Sequence, residues 1–152
     1  MTVSVRRATG DDLALLVRLE SQLFPGEPWS EAALRGHLSA EHTGTFLLTL
    51  DGAPGGYLLA GFSPPEGELY RIAVAKEFRR RGYGRLLLDA FLSDAGARGA
   101  ESLYLEVRES NAAAVALYLS AGFRPIARRE NYYRNPCEAA LILTRNRPKE
   151  SV

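Results

Sequence analysis

The segment that most constrains the fold is IAVAKEFRRRGYGRLLL, residues 72–88, where an apolar strand passes through a basic glycine turn into a helix. A strand and a helix joined in this way belong to a sheet with helices packed against it. Backbone N–H groups at a helix start carry partial positive charge, and glycines at 82 and 84 let an anion approach the backbone. The segment therefore predicts a cradle for a diphosphate-sized anion.

The arginines of this turn leave a second interpretation open. In the anion cradle, Arg80, Arg81 and Arg85 add charge and forked hydrogen bonds, whereas in an ordinary glycine loop they are only solvated. A Walker loop ends in Gly-Lys-Ser/Thr, but here Gly84 is followed by Arg85. The dinucleotide fingerprint has a third glycine where Leu87 stands. The turn therefore matches neither of these two phosphate motifs.

A carboxylate interrupts the apolar strand of LYLEVRESNAAAVALY, residues 103–118. Alternation places Glu106 on the face opposite its apolar neighbours, as an exposed glutamate, an ion-pair partner of Arg108, or a base. An alanine-rich helix follows, and at about 100° per residue Asn111 and Tyr118 return to nearly the same face. Asn111 fits a helix N-cap, a ligand contact or both, and Tyr118 fits a core aromatic or a proton donor.

The whole chain predicts an α/β protein, a mixed sheet with helices against it, in the order β-α-α-β-β-β-α-β-α-β-β. We expect one domain over residues 1–146 and a frayed tail at 147–152. Asp51-Gly52 is a strong hairpin signal, and Gly122 ends the last helix. The expected strands cover 3–8, 45–50, 56–62, 68–75, 102–107, 123–131 and 138–144, and the expected helices cover 13–23, 30–37, 84–97 and 111–121.

Charge and cysteine content narrow the class of protein. The net charge is +1 and the basic residues cluster at 76–85 and 124–134, which favours a small anionic ligand over a nucleic acid. No apolar run follows the N-terminal charges or approaches the ~20 residues of a membrane span, so we expect neither signal peptide nor membrane anchor. The single cysteine, Cys137, excludes an internal disulfide and indicates a cytoplasmic protein. His37 and His42 give no metal-ligand spacing, so we expect no metal cofactor.

Two motifs give the chain a family resemblance. RRRGYG, residues 79–84, resembles the Q/R-x-x-G-x-G/A motif of the GNAT superfamily of N-acetyltransferases, whose backbone cradles the pyrophosphate of acetyl-CoA. LEVRxSNxxAxxLYxxxGF, residues 105–123, followed by RxNYY, residues 129–133, is similar to the RimI-like branch, bacterial enzymes that acetylate a ribosomal-protein N-terminal alanine. The resemblance runs from FPGEPWSE to the last strand and implies a GNAT fold, with about six or seven mostly antiparallel strands and about four helices.

The resemblance implies a role for each matching residue. Glu106 would be the general base, Tyr118 the general acid, and a bulge at Val74 would aim a backbone N–H at the oxyanion. The implied cofactor-binding residues, all for acetyl-CoA, are Ile72, Ala73, Val74, Arg80, Arg81, Gly82, Tyr83, Gly84, Arg85 and Asn111. The implied acceptor-groove residues are Trp29, Tyr132 and Tyr133, for which edge packing is the alternative.

The identity of the acceptor stays open. Gly26-Glu27-Pro28 is inserted in the family's Phe-Pro-Trp-Ser segment, and 134–137 looks short; both segments border the acceptor groove in relatives. We expect direct transfer to a protein N-terminus by a monomer or weak dimer, without nucleic-acid or membrane contact. The alternatives are another N-terminus, a lysine or a small-molecule amine as acceptor, or a domain that binds acyl-CoA without catalysis. A pure binding module needs neither Glu106 nor Tyr118.

Overall fold

A computed structural model describes residues 1–134 and 136–147, so the expected frayed tail lies outside the described residues from 148 onward. The strands are β1 (Val3–Arg7), β2 (Thr43–Leu50), β3 (Ala53–Ser63), β4 (Glu66–Val74), β5 (Ser102–Arg108), β6 (Arg124–Tyr133) and β7 (Glu138–Asn146). The α-helices are α1 (Leu13–Leu23), α2 (Glu31–Ser39), α3 (Tyr83–Ala97) and α4 (Ala112–Ser120).

The seven strands form one sheet in the order β1-β2-β3-β4-β5-β7-β6. Neighbouring strands are antiparallel except β4 and β5, which run parallel. A parallel pair needs a crossover connection, and α3 provides it. The mixed, mostly antiparallel sheet flanked by helices confirms the predicted architecture.

The β2–β3 hairpin turns at Asp51 and Gly52, as the sequence predicts. Both residues have positive φ, 51° and 82°, which is the combination required by a type I′ turn. The two strands are longer than predicted, because pairing continues as far as Thr43 opposite Gly61.

Helices cover both faces of the sheet and bury a core on each. On one face, α1 and α2 bury Leu16, Leu19 and Leu34 against Leu47, Tyr57 and Leu59. On the other face, α3 and α4 bury Leu87, Phe91 and Tyr118 against Leu58, Leu103, Leu105 and Leu143. Full burial of such a side chain contributes about 1.5–3 kcal/mol. None of the helices within residues 1–134 and 136–147 is long and apolar enough to cross a membrane.

Strands β4 and β5 separate along their length. Their pairing joins Glu66–Leu69 to Ser102–Leu105 and stops there, although β4 continues to Val74 and β5 to Arg108. The only other neighbour of β4 in the described sheet is β3, on its opposite edge. The backbone of Tyr70–Val74 therefore presents unpaired N–H and C=O groups to the opening.

The bulge in β4 lies at Tyr70. The register with β3 shifts between Leu59 and Ala60, opposite Tyr70, whereas Val74 pairs regularly. The prediction of a bulge at Val74 is therefore wrong. The physical reason is local: the Tyr70 hydroxyl lies over Gly61, where a Cβ would stand only 2.2 Å from that oxygen. Glycine is needed on β3 for the tyrosine to lie there.

Candidate active site

A cavity of about 370 Å³ opens where β4 and β5 separate. On one side it is bordered by the segment between α1 and α2, through Phe24 and Glu27. On the other side it is bordered by α4. Glu106, Asn111 and Tyr118 all line this one cavity. Because its walls come from elements on opposite faces, the cavity connects the two faces of the sheet.

Glu106 approaches the cavity from the face that carries α1 and α2. Its neighbours Leu105 and Val107 are buried in the core beneath α3 and α4. Alternation along β5 therefore directs the Glu106 side chain to the opposite face, where it is half-buried. This is the orientation that the sequence predicts.

Arg108 does not form the ion pair with Glu106 that the sequence left open. Its guanidinium donates to Glu138 Oε1 at 3.2 Å and to the carbonyl oxygens of Arg134 and Pro136, each at 3.0 Å. The side-chain hydrogen bonds of Arg108 therefore go to the β6–β7 turn and the start of β7. Within residues 1–134 and 136–147, Glu106 forms no salt bridge.

Tyr118 approaches the same cavity from α4. Its side chain is 4% exposed, and its ring meets that of Phe123 edge-on at a centroid distance of 6.0 Å. Burial, with a smaller contribution from Tyr133, raises the pKa of the Tyr118 phenol above its ordinary value. Tyr118 is therefore a core aromatic that also presents a protonated phenol at neutral pH.

The three aromatic residues expected in an acceptor groove occupy different positions. Tyr133 lines the cavity, and burial followed by the negative charge of Glu106 raises its pKa to about 12. Tyr132 is 42% exposed, packs edge-on against Tyr133 at 5.0 Å, and has its pKa raised first by hydrogen bonding to Glu106. Trp29 lies one layer behind the cavity, with its ring 5.9 Å from that of Tyr70.

Asn111 is the N-cap of α4. Its side-chain oxygen accepts a hydrogen bond from the Ala114 backbone N–H at 3.2 Å, which confirms the predicted cap. The same residue lines the cavity. Because the cap uses the oxygen, the NH₂ group is the part of the side chain left to donate to a ligand.

The glycine turn places the start of α3 at the edge of the sheet. Gly82 is the N-cap in the left-handed conformation, with φ of 83°, and it has no side chain to bond the first-turn N–H groups. Those of Tyr83 and Gly84 are thus available to an anion. Arg80 also has positive φ, 64°, and both it and Arg81 are exposed.

The Arg85 side chain forms its hydrogen bonds with α3 and α4. Its Nε donates to Asp89 at 2.9 Å, and its Nη1 donates to the Ser120 carbonyl at 3.2 Å, which joins α3 to α4. Its side chain therefore serves helix packing in this structure. Ile72 lines the cavity, and Ala73 and Val74 continue along the unpaired edge of β4 towards the glycine turn. An unpaired strand edge that leads to an uncapped helix start fits the amide groups and pyrophosphate of acetyl-CoA.

Sequence reasoning missed Glu68. It pairs with Tyr104, two residues before Glu106 on the parallel strand, so both carboxylates lie on the same face. Burial, followed by the negative charge of Glu106, raises the pKa of Glu68. Alternation along β4 could have given the face of Glu68, but only the β4–β5 register brings it near Glu106.

Sequence reasoning also missed Arg71 and its partner Glu20. Arg71 lines the cavity, and its Nη1 lies 2.9 Å from Oε2 of the fully buried Glu20. The available signal was a glutamate that directly follows Leu19 on the apolar stripe of α1. Within residues 1–134 and 136–147, no cluster of three or more His, Cys, Asp and Glu side chains is arranged to hold a metal ion.

Comparison with known proteins identifies the family. The family profile described as "Acetyltransferase (GNAT) family" matches residues 13–123. The [ribosomal protein bS18]-alanine N-acetyltransferase of Salmonella typhimurium is 37% identical over 132 residues, which cover 87% of this chain and 86% of that protein. The N-alpha-acetyltransferase RimI of Mycobacterium tuberculosis is 39% identical over 137 residues, which cover 87% of this chain and 85% of that protein.

A solved structure has the same fold as this chain. The crystal structure of the ribosomal-protein-alanine N-acetyltransferase from Escherichia coli superposes with a TM-score of 0.89 at 32% identity, covering 99% of this chain and 97% of that one. The resemblance to the RimI-like branch is thereby confirmed. The chain belongs to the GNAT family of acetyltransferases and is an acetyl-CoA-dependent N-acetyltransferase.

Proposed function

We propose that this enzyme acetylates the α-amine of a protein N-terminus, specifically the N-terminal alanine of a small-subunit ribosomal protein. Two findings support the proposal. Relatives at 37% and 39% identity over most of the chain carry names with N-terminal or alanine acetylation activity. The observation that carries the chemistry is that Glu106 and Tyr118 line one cavity from opposite faces of the sheet.

Glu106 is the proposed general base. A free α-amine has a pKa of about 7.7–8.0, against about 10.4 for lysine, so it needs only modest help to lose its proton at neutral pH. The half-buried Glu106 carboxylate, which has no salt-bridge partner in the described residues, takes that proton directly or through one water. The neutral amine then attacks the thioester carbonyl, and its nitrogen bonds to the acetyl carbon.

Tyr118 is the proposed general acid. The tetrahedral intermediate collapses by breaking the carbon–sulfur bond, and the thiolate that leaves has a reference pKa near 8.5. The Tyr118 phenol, kept neutral by burial, gives its proton to that sulfur. The nitrogen of the intermediate loses its extra proton through water to the Tyr118 phenolate, and Glu106 releases the proton that it took from the amine to solvent. Backbone N–H groups on the unpaired edge of Tyr70–Val74 donate to the oxyanion. No acyl-enzyme forms, because no residue acts as nucleophile.

Glu68 has a proposed part in binding the acceptor. Two carboxylates on one face of the sheet attract an ammonium more strongly than one. Burial is the main cause of the raised pKa of Glu68, and the negative charge of Glu106 adds to it. Tyr133 and Tyr132 flank the same pair and offer phenol donors and aromatic faces to the incoming chain.

The test is acetyl-CoA turnover against a panel of amines. The panel contains peptides that start with Ala, Ser, Met or Gly, an N-terminally blocked peptide with an internal lysine, and free polyamines. We expect the highest kcat/KM for the Ala-starting peptides. Preference for the blocked lysine peptide or for polyamines would replace the proposed acceptor with one of those amines.

The same assay tests the base with Glu106→Gln. Loss of general-base help predicts a fall in kcat/KM of about 10²–10⁴-fold at neutral pH. Glu109→Gln is the matched control, because Glu109 is an exposed carboxylate just after β5 that pairs with Arg128. If a folded Glu106→Gln variant has the same kcat/KM as Glu109→Gln, Glu106 is not the general base.

A further inference from the structure

Glu20 is a completely buried carboxylate that the acetyl transfer does not use. Its Oε1 accepts from the Tyr57 hydroxyl at 2.6 Å, and its Oε2 accepts from the Trp29 backbone N–H at 2.6 Å. Arg71 Nη1 donates to both oxygens, at 3.1 and 2.9 Å. A buried charge is tolerated only when its hydrogen bonds are satisfied, and here β3, β4 and the segment before α2 each supply a donor to the carboxylate on α1.

Arg71 extends this network into the segment between α1 and α2. The guanidinium carbon lies 3.9 Å from the centre of the Phe24 ring, and Nη1 also donates to the Glu27 carbonyl oxygen at 3.2 Å. The flat guanidinium can stack on the ring face while one of its N–H groups donates to the carbonyl, a combination that arginine makes more readily than lysine. Arg71 thereby holds residues 24–29 at two points, while Glu20 holds them at a third through Trp29.

The segment held in this way forms one wall of the cavity. Phe24, Gly26 and Glu27 line it on the side from which Glu106 also reaches it. The segment includes the Gly26-Glu27-Pro28 insertion and lies between the two helices, so its position depends on side-chain anchors. Arg71 itself lines the cavity beside it.

We infer that Arg71, fixed by Glu20, is a positioning residue that sets the acceptor-facing wall and so determines how tightly this enzyme binds its amine substrate. The inference rests on the proposed function, in which this side of the cavity receives the acceptor. The network is formed by the Arg71 side chain, whereas acetyl-CoA is expected at the backbone of the unpaired β4 edge and at the glycine turn. Loss of Arg71 should therefore affect the acceptor and leave acetyl-CoA binding almost unchanged.

Arg98 offers a matched control elsewhere in the chain. It pairs with the buried Asp94 at 3.1 Å, stacks 4.5 Å from the Phe62 ring centre, and donates to the carbonyl oxygens of Glu41 and Thr43. The chemistry of the contacts is the same as for Arg71, but these residues do not line the cavity between β4 and β5. Arg71→Gln and Arg98→Gln should thus lower thermal stability by comparable amounts.

The experiment compares steady-state kinetics of the full chain for Arg71→Gln, Arg71→Lys and Arg98→Gln. The acceptor is whichever amine of the panel the wild type acetylates best. For Arg71→Gln we expect the KM for this acceptor to rise by about tenfold or more, because displacement of a wall misplaces the bound amine. The KM for acetyl-CoA should stay within about twofold of wild type, and Arg98→Gln should leave both constants within about twofold.

Arg71→Lys covers the case in which the glutamine variant does not fold. Lysine keeps the charge beside Glu20 but loses the flat stacking on Phe24 and the fixed direction of the guanidinium donors, so we expect an intermediate rise in the acceptor KM. The inference is overturned if the folded Arg71 variants have the same acceptor KM as Arg98→Gln. It is also overturned if the KM for the acceptor and the KM for acetyl-CoA rise equally. The proposed function fails separately, if the wild type prefers an amine other than a protein N-terminus.

Discussion

Replacement of Tyr118 by phenylalanine separates a catalytic phenol from a core aromatic, because it removes one oxygen and leaves the ring. The ring is 4% exposed and keeps its edge-on contact with Phe123 at 6.0 Å. Among residues 1–134 and 136–147, no group forms a hydrogen bond with the Tyr118 hydroxyl. Loss of the oxygen therefore leaves no partner unsatisfied, and we expect the free energy of unfolding to change by about 1 kcal/mol or less.

The expected kinetic effect is much larger than the effect on stability. General acid–base catalysis contributes about 10²–10⁴-fold, which corresponds to about 2.7–5.4 kcal/mol of activation free energy. We thus expect kcat of Tyr118→Phe to fall by about 10²-fold or more, with KM for the acceptor nearly unchanged. If the hydroxyl only packs in the core, its removal should instead cause small changes in both stability and kcat.

The assay should follow acetylated peptide by mass spectrometry. A thiol reagent that detects released CoA would also react with Cys137, which is exposed. Tyr104→Phe is the control, because Tyr104 lies on β5 but does not line the cavity that holds Glu106 and Tyr118. A Tyr118→Phe enzyme that keeps kcat within about twofold of Tyr104→Phe would refute the assignment of Tyr118 as the acid.

Two further outcomes follow from titrating groups near the site. Glu68 has a raised pKa in the folded state, so its ionisation lowers the stability of the fold above its unfolded pKa. Glu68→Gln should therefore slightly raise the melting temperature at neutral pH, measured by thermal unfolding, and should also raise the acceptor KM. An unchanged acceptor KM would show that Glu68 does not bind the acceptor. Burial lowers the pKa of His37 despite the bond to the Gly44 carbonyl, so the unfolded chain takes up a proton first and stability should fall as pH drops below about 6.5. His37→Gln should flatten the dependence of melting temperature on pH between about 7 and 5, and an unaltered slope would contradict this.

The parts of the fold that depend on neighbouring residues could be predicted from the sequence. The hairpin at Asp51-Gly52, the cap at Asn111 and the orientation of Glu106 each follow from local turn chemistry or from alternation along one strand. The resemblance to a known family supplied the roles of the residues, and the comparisons confirm the family.

The remaining parts depend on contacts between distant segments. Glu20 and Arg71 are 51 residues apart, and no local pattern joins them. Glu68 lies near Glu106 only because β5 enters the sheet parallel to β4 in one particular register. The Arg85 side chain could be placed only once α4 was known to pack beside α3. Sequence periodicity gives the face of each residue but not its neighbour across the sheet.

The early end of the β4–β5 ladder also has a dynamic consequence. From Arg71 to Val74, alternate amide hydrogens point to β3, where they are bonded, and to the opening, where no strand of residues 1–134 and 136–147 receives them. Hydrogen exchange along this strand should therefore alternate between slow and fast from one residue to the next. The fast positions are the ones a bound substrate can slow, so the strand that binds the substrate also reports, amide by amide, whether the cleft is filled.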